Sequence, residues 1–125
     1  MSRDAIRALN DAYADAVFRR DAAAWGALWT ADAVWTLMGA RIEGRHAIVA
    51  AWQGAMAQFG FVGFFVQLGA VTVDGDAADC VVYTHEVLAA ADGSVRRPVG
   101  RYADRCVLTD EGWRFAARDF SLLWG

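Results

Sequence analysis

Ile6, Leu9, Tyr13, Ala16 and Val17 recur at steps of three and four residues, and Arg3, Arg7, Asp11, Asp15 and Arg19 fall between them. Positions three and four apart share one helix face, so this spacing predicts an amphipathic helix over residues 3–19. Asp21 is suited to cap a second, shorter helix on which Trp25, Leu28 and Trp29 share a face. The mixed segment 33–43, with Gly39 near its middle, reads as two small strands around a turn. Gly44 then opens a third helix in which Ile48, Trp52, Met56 and Phe59 keep helical spacing, and Gly60 ends it.

From residue 61 the period changes to two. Asp74-Gly75, Asp92-Gly93 and Asp110-Glu111-Gly112 are hairpin signals at regular intervals. They predict strands over roughly 61–74, 77–91, 95–109 and 113–123. Strands this long exceed the usual five or six residues, and long antiparallel strands twist and curl. A curled sheet has a concave face, and the apolar faces of three helices need cover. Packing them into that concavity gives one α+β domain over residues 1–125.

Composition sharpens this picture in one respect. The hydrophobic share of 57% is high, and six Trp, seven Phe and three Tyr supply more aromatic surface than one small core needs. The surplus is expected to line a cavity or a subunit contact. A net charge of −3, with both signs interspersed, gives no electrostatic footprint for nucleic acid or an anionic membrane. The start of the chain is polar and no apolar run is long enough for a membrane helix, which makes the cytoplasm the expected location. Cys80 and Cys106 lack the spacing of a metal site and read as buried thiols. No phosphate loop, dinucleotide fingerprint, nucleophile elbow or zinc motif is present, so no cofactor and no metal are expected.

Polar groups on faces that should be apolar are the candidate chemistry. In strand 95–109, alternation groups Tyr102, Asp104, Cys106 and Leu108 as the inward set. Desolvation there would raise the pKa of Asp104 unless a donor holds its charged form. Such a carboxyl can donate a hydrogen bond or move a proton; the structural alternative is pairing with an Arg of a neighbouring strand, such as Arg118. Tyr13, on the buried face of the first helix, is the natural companion, because a buried phenol needs somewhere to send its O–H. In strand 77–91, Tyr83, His85 and Val87 share one face, and Cys80, Val82, Thr84 and Glu86 share the other. Phase alone does not say which is inside. His85 is a candidate general base by its unperturbed pKa near 6.5. His46, at the start of the third helix, is a weaker candidate. Asp119 shares the nominal phase of Trp113, Phe115 and Ala117, although a bulge would turn it out.

Several motifs, in order, resemble the SnoaL-like branch of the nuclear-transport-factor-two-like superfamily. They are Tyr13-Ala14-Asp15-Ala16-Val17 with Arg20-Asp21, Trp29-Thr30-Ala31-Asp32-Ala33-Val34-Trp35, and Glu43-Gly44-Arg45-His46-Ala47-Ile48. Val73-Asp74-Gly75-Asp76-Ala77, Gly100-Arg101-Tyr102-Ala103-Asp104 and Gly112-Trp113-Arg114-Phe115 with Arg118 follow. The resemblance implies a cystatin-like cone, with a strongly curved sheet wrapped around three helices, an apolar pocket at the wide end, and homodimers formed through the sheet. It also implies that Tyr13 looks like the helix-one tyrosine of ketosteroid isomerase and Asp104 like the protonated acid beside it, which in that enzyme donates a hydrogen bond to an enolate. Leu37 stands where that enzyme has its base, and Phe61-Val62-Gly63-Phe64-Phe65-Val66 lacks the His of many relatives, leaving His85 or Glu86 as replacements.

The expectation is a protein that binds a small, apolar, carbonyl-bearing molecule of polyketide, terpenoid or steroid type. If it is an enzyme, the chemistry is cofactor-independent isomerisation, cyclisation or dehydration. Tyr13 and Asp104 would then stabilise oxygen charge, His85 would accept a proton, and Trp35, Leu37, Trp52, Met56 and Tyr102 would shape the pocket. The rival expectation is a non-catalytic ligand-binding or dimerisation module of the same fold.

Overall fold

The helical spacing at the front of the chain becomes α1 (Ser2–Arg19), which buries Ile6, Leu9, Tyr13, Ala16 and Val17. This computed structural model describes residues 2–125. Arg20 ends α1 in a left-handed conformation (φ 56°), with the Asp21 N–H donating to the Ala16 carbonyl and the Arg20 N–H to that of Val17. The Arg20 guanidinium then donates to the carbonyls of Met56 and Phe59, tying the end of α1 to a distant junction. Asp21 caps α2 (Ala22–Gly26) by accepting from the Ala24 N–H at 3.0 Å.

α2 is shorter than the sequence predicts. Trp29 leaves it and opens β1 (Trp29–Leu37), which pairs antiparallel with β2 (Ala40–Glu43). Here strand pairing overrides helical spacing, since Trp29 also aligns with Phe115 of the last strand. Gly44 precedes α3 (Arg45–Met56) as expected, but Phe59 and Gly60 belong to β3 (Phe59–Asp74) rather than to the helix. β4 (Ala77–Ala90) follows. The strand expected over 95–109 is two pieces, β5 (Val95–Arg96) and β6 (Val99–Thr109). Pro98 lies in the break, where it has no N–H to give a ladder and its carbonyl accepts from the Glu86 N–H. β7 (Gly112–Trp124) closes the chain order. Gly75 and Gly93, at φ 60° and 89°, occupy the left-handed turn positions that a side chain would strain.

The sheet runs β2-β1-β7-β6-β4-β3, with β5 attached to β4. Every pairing among the described residues is antiparallel except β1 with β7. Helices pack against its concave side, and the core between them is aromatic. Trp25 stacks on Trp52 at 4.6 Å and 11°, Trp29, Trp35 and Tyr13 pack against Trp25, and Phe115 packs against Tyr13 and Trp29. Each fully buried side chain of this size contributes about 1.5–3 kcal/mol by leaving water. Of the inward set expected in β6, Tyr102, Asp104 and Cys106 are buried, whereas Leu108, opposite the buried Trp113 of β7, is exposed. Cys80 and Cys106 are buried free thiols.

Candidate functional site

A cavity of about 270 Å³ lies between the helices and the concave sheet. α1 brings Tyr13 and Val17 to it, β1 brings Trp35 and Leu37, and α3 brings Trp52, Ala55 and Met56. The sheet supplies Phe59, Phe64, Glu86, Leu88, Tyr102 and Phe120. Trp35, Leu37, Trp52, Met56 and Tyr102, grouped in the sequence as shapers of a pocket, all line this cavity together with Tyr13. The hairpin between β1 and β2 adds Met38, well exposed and held at φ 48°. Holding a non-glycine residue there costs on the order of 1 kcal/mol. It places a flexible apolar side chain against the cavity.

Asp104 is elsewhere. Its carboxylate accepts from Arg118 twice, Nε to Oδ1 at 2.8 Å and Nη2 to Oδ2 at 2.9 Å, and both side chains are 0% exposed. The partnership with Tyr13 expected from the family resemblance is replaced by the guanidinium, which touches both groups. Its central carbon lies 4.6 Å from the Tyr13 ring centre, 3.9 Å from Tyr102 and 4.1 Å from Phe115. Nη1 has no hydrogen-bond acceptor among the described residues. Burial pushes the Asp104 carboxyl up while Arg118 pulls it back. For Arg118, burial alone would disfavour the cation, but Asp104 and the oxygens of Tyr13 and Tyr102 outweigh it, so its pKa is raised. A two-bond contact of this geometry is an ion pair, and Asp104 in it has no proton to donate. A bulge in β7 opposite Arg105 and Cys106 makes this possible: it turns Arg118 and Phe120 inward and Asp119 out to solvent.

His85 is also outside the cavity. It is exposed on the outer face of β4, its ring 6.2 Å from that of Phe65. The inward face is that of Cys80, Val82, Thr84 and Glu86, so Glu86, not His85, enters the cavity. Sequence phase left the two faces open because both carry apolar residues. The signal that separates them is the pairing of Cys80 with Asp104 and Val82 with Tyr102, which puts them on the side of the inward set of β6. His46 lies on a shallow groove between α2 and α3, apart from the cavity.

Three polar groups therefore act on an otherwise apolar hollow. Burial pushes the Glu86 carboxyl up to about 7, with Arg96 opposing the shift. Burial raises the phenol of Tyr102 well above its ordinary value, and that of Tyr13 as well, the latter against the pull of Arg118. Both hydroxyls thus stay protonated at neutral pH. Tyr102 Oη accepts from Trp35 Nε1 at 3.1 Å, which leaves its own proton free to donate. Such a set can accept a proton at Glu86 and hydrogen-bond a ligand oxygen from the phenols.

The sequence profile of the SnoaL-like domain matches residues 1–119. No functionally curated protein matches the sequence. Among solved structures, an NTF2-like protein with a cystatin-like fold from Novosphingobium aromaticivorans is 29% identical with a TM-score of 0.81, over 98% of this chain and 82% of that one. A protein of unknown function from Mycobacterium tuberculosis is 27% identical with a TM-score of 0.85, over 98% and 76%. A hexachlorocyclohexane dehydrochlorinase is 16% identical with a TM-score of 0.88, over 98% and 86%, a likeness of fold. Among the described residues, no helix is long and apolar enough to cross a membrane.

Proposed function

This chain belongs to the SnoaL-like domain family, and on that premise we propose that it is a cofactor-independent acid–base catalyst for a small, neutral, carbonyl-bearing ring compound. One observation carries the reading: among the described residues, Glu86 is the one charged side chain lining an apolar cavity, and its surroundings bring its ionisation to about 7. A general base works best with a pKa near the working pH. In the proposed step the Glu86 carboxylate takes a proton from the carbon next to the carbonyl. The C–H electron pair moves into the enolate, whose oxygen accepts from Tyr102 and Tyr13. In a β,γ-unsaturated ketone the resulting Glu86 carboxylic acid reprotonates the dienolate at the γ-carbon, which completes an isomerisation; in a β-hydroxy ketone it hands that proton to the departing β-hydroxyl instead, so that water leaves and a dehydration results.

Size and charge narrow the substrate. The cavity falls just below the ~300–1,000 Å³ typical of drug-sized ligands, which favours one or two rings over a steroid skeleton. No cation lines it among the described residues, so carboxylates and phosphates are disfavoured beside an ionised Glu86. A non-catalytic ligand-binding role is the second reading, favoured by the engagement of Asp104 with Arg118, which leaves a single carboxyl in the cavity. We also propose that the outer sheet face, where Phe61, Phe65 and Tyr83 are exposed, pairs with a second copy of the chain.

Deuterium exchange tests the leading reading. Cyclic ketones and enones incubated with the protein in D2O are expected to exchange their α-protons faster than with the Glu86→Gln variant, followed by NMR. Thermal stabilisation by the same ketones without any exchange would favour the binding role.

A further inference from the structure

We infer that Gly100 is a specificity-determining position of the cavity, acting through the ring of Phe120. This rests on the reading of the cavity as a ligand site. Gly100 lies in β6, opposite Thr84 of β4 on one side and Leu122 of β7 on the other. The ring of Phe120, two residues before Leu122, lies across the glycine. A Cβ at position 100 would stand 2.1 Å from Phe120 Cε1, 2.3 Å from Cζ and 2.9 Å from Thr84 Oγ1.

Carbon atoms pack at about 3.5–4.0 Å, so no side chain at 100 is compatible with the present ring position. Gly100 is not among the glycines with positive φ. Space, not backbone conformation, demands a glycine here. The ring it accommodates is also part of the cavity wall, and it meets the Tyr102 ring edge-on at 5.1 Å. A displaced Phe120 cannot retreat through the sheet beneath it and is blocked on one flank by Tyr102. The open direction is the cavity. Gly100 therefore reserves room for a ligand by letting an aromatic ring lie flat on the sheet, and it keeps that ring from shifting the Tyr102 hydroxyl. Gly100 is a positioning residue, and the property it sets is the largest ring system admitted.

The test uses hydrocarbons, whose binding needs neither base nor hydrogen bond. Benzene and naphthalene binding to the intact chain is measured by calorimetry for the natural protein, Gly100→Ala and the double variant Gly100→Ala/Phe120→Leu. The natural protein is expected to take both. Gly100→Ala is expected to hold benzene within about threefold and to lose naphthalene by about tenfold or more, the scale on which apolar pockets discriminate size. The double variant is expected to regain naphthalene. Equal loss of both probes, loss of neither, no recovery in the double variant, or a natural protein that does not take naphthalene would overturn the inference. Should the single variant fail to fold, the double variant must fold and take naphthalene, and a double variant that does not would overturn it as well. Absence of proton exchange with ketones would sink the catalytic reading and leave this result standing.

Discussion

Arg118 grips both carboxylate oxygens of Asp104 from the neighbouring strand while its guanidinium plane is packed against three aromatic rings. The two charges are fully enclosed, so each is tolerable only because of the other. Removing one partner from such a pair costs about 3–5 kcal/mol, because the survivor is left buried and uncompensated. Asp104→Asn is expected to lose that much in urea unfolding. A double replacement, Asp104→Leu with Arg118→Met, should recover most of it, since apolar residues of similar volume need no compensation. A double variant as unstable as the single one would contradict this account.

Glu86 gives a pH signature in stability. Its carboxyl titrates near the ordinary 4.5 in the unfolded chain and near 7 in the folded one, because burial disfavours the charge. Between those values the folded state binds more protons, so stability falls as pH rises from 4.5 to 7, and the penalty is complete above 7. Glu86→Gln is expected to be more stable than the natural protein by about 1–2 kcal/mol above pH 7, allowing for partial exposure, and equal to it below 4.5. Parallel unfolding curves at about pH 4 and about pH 8, on either side of that window, measure the difference. If Glu86 is the base, proton exchange should rise with pH through about 7 and level off.

Tyr102→Phe removes a hydroxyl and keeps the ring. Stability should change by about 1 kcal/mol, the worth of the bond from Trp35. Ketone α-proton exchange should fall by about 10²-fold or more, the effect of deleting one donor to a developing oxyanion. An exchange rate unchanged from the natural protein would remove Tyr102 from the proposed chemistry.

His85→Ala should leave α-proton exchange and hydrocarbon binding within about twofold of the natural protein, since an exposed side chain on the far face of the sheet contributes little to either. A large loss of exchange would restore the imidazole to the mechanism.

Phe65→Glu tests the outer face. Sedimentation is expected to report a dimer for the natural protein and a monomer for the variant, because a carboxylate at an apolar contact is costly to desolvate.

The fold was largely legible in the chain because its long elements each carry one period over many residues. α1 and the hairpins at Gly75, Gly93 and Gly112 are cases where local propensity and tertiary packing agree. The two conflict at Trp29, which has helical spacing but joins the sheet, and at Pro98, which splits a strand whose alternation continues on both sides. In the candidate site, the apolar lining was readable because Trp35, Trp52, Met56 and Tyr102 keep the phase of their elements. Glu86 rather than His85 as the inward group, and Arg118 rather than Tyr13 as the partner of Asp104, were open alternatives in the sequence, for two physical reasons. Both faces of β4 are apolar enough to be buried, and the bulge that turns Arg118 inward depends on β6, a partner distant from the phase of β7 itself.

Spatial order along the sheet departs from chain order at one strand. β7 sits between β1 and β6 and makes the parallel pairing with β1. Any fragment that stops before Gly112 lacks Phe115, Arg118 and Phe120, leaves Asp104 without its counter-ion, and exposes strand edges on two sides. Such a fragment cannot settle piecemeal into the finished sheet; assembly is withheld until the thirteen residues of that strand arrive. During synthesis the nascent chain therefore carries unpaired edges on β1 and β6 until β7 is made, which makes aggregation during biogenesis the hazard inherent in this topology.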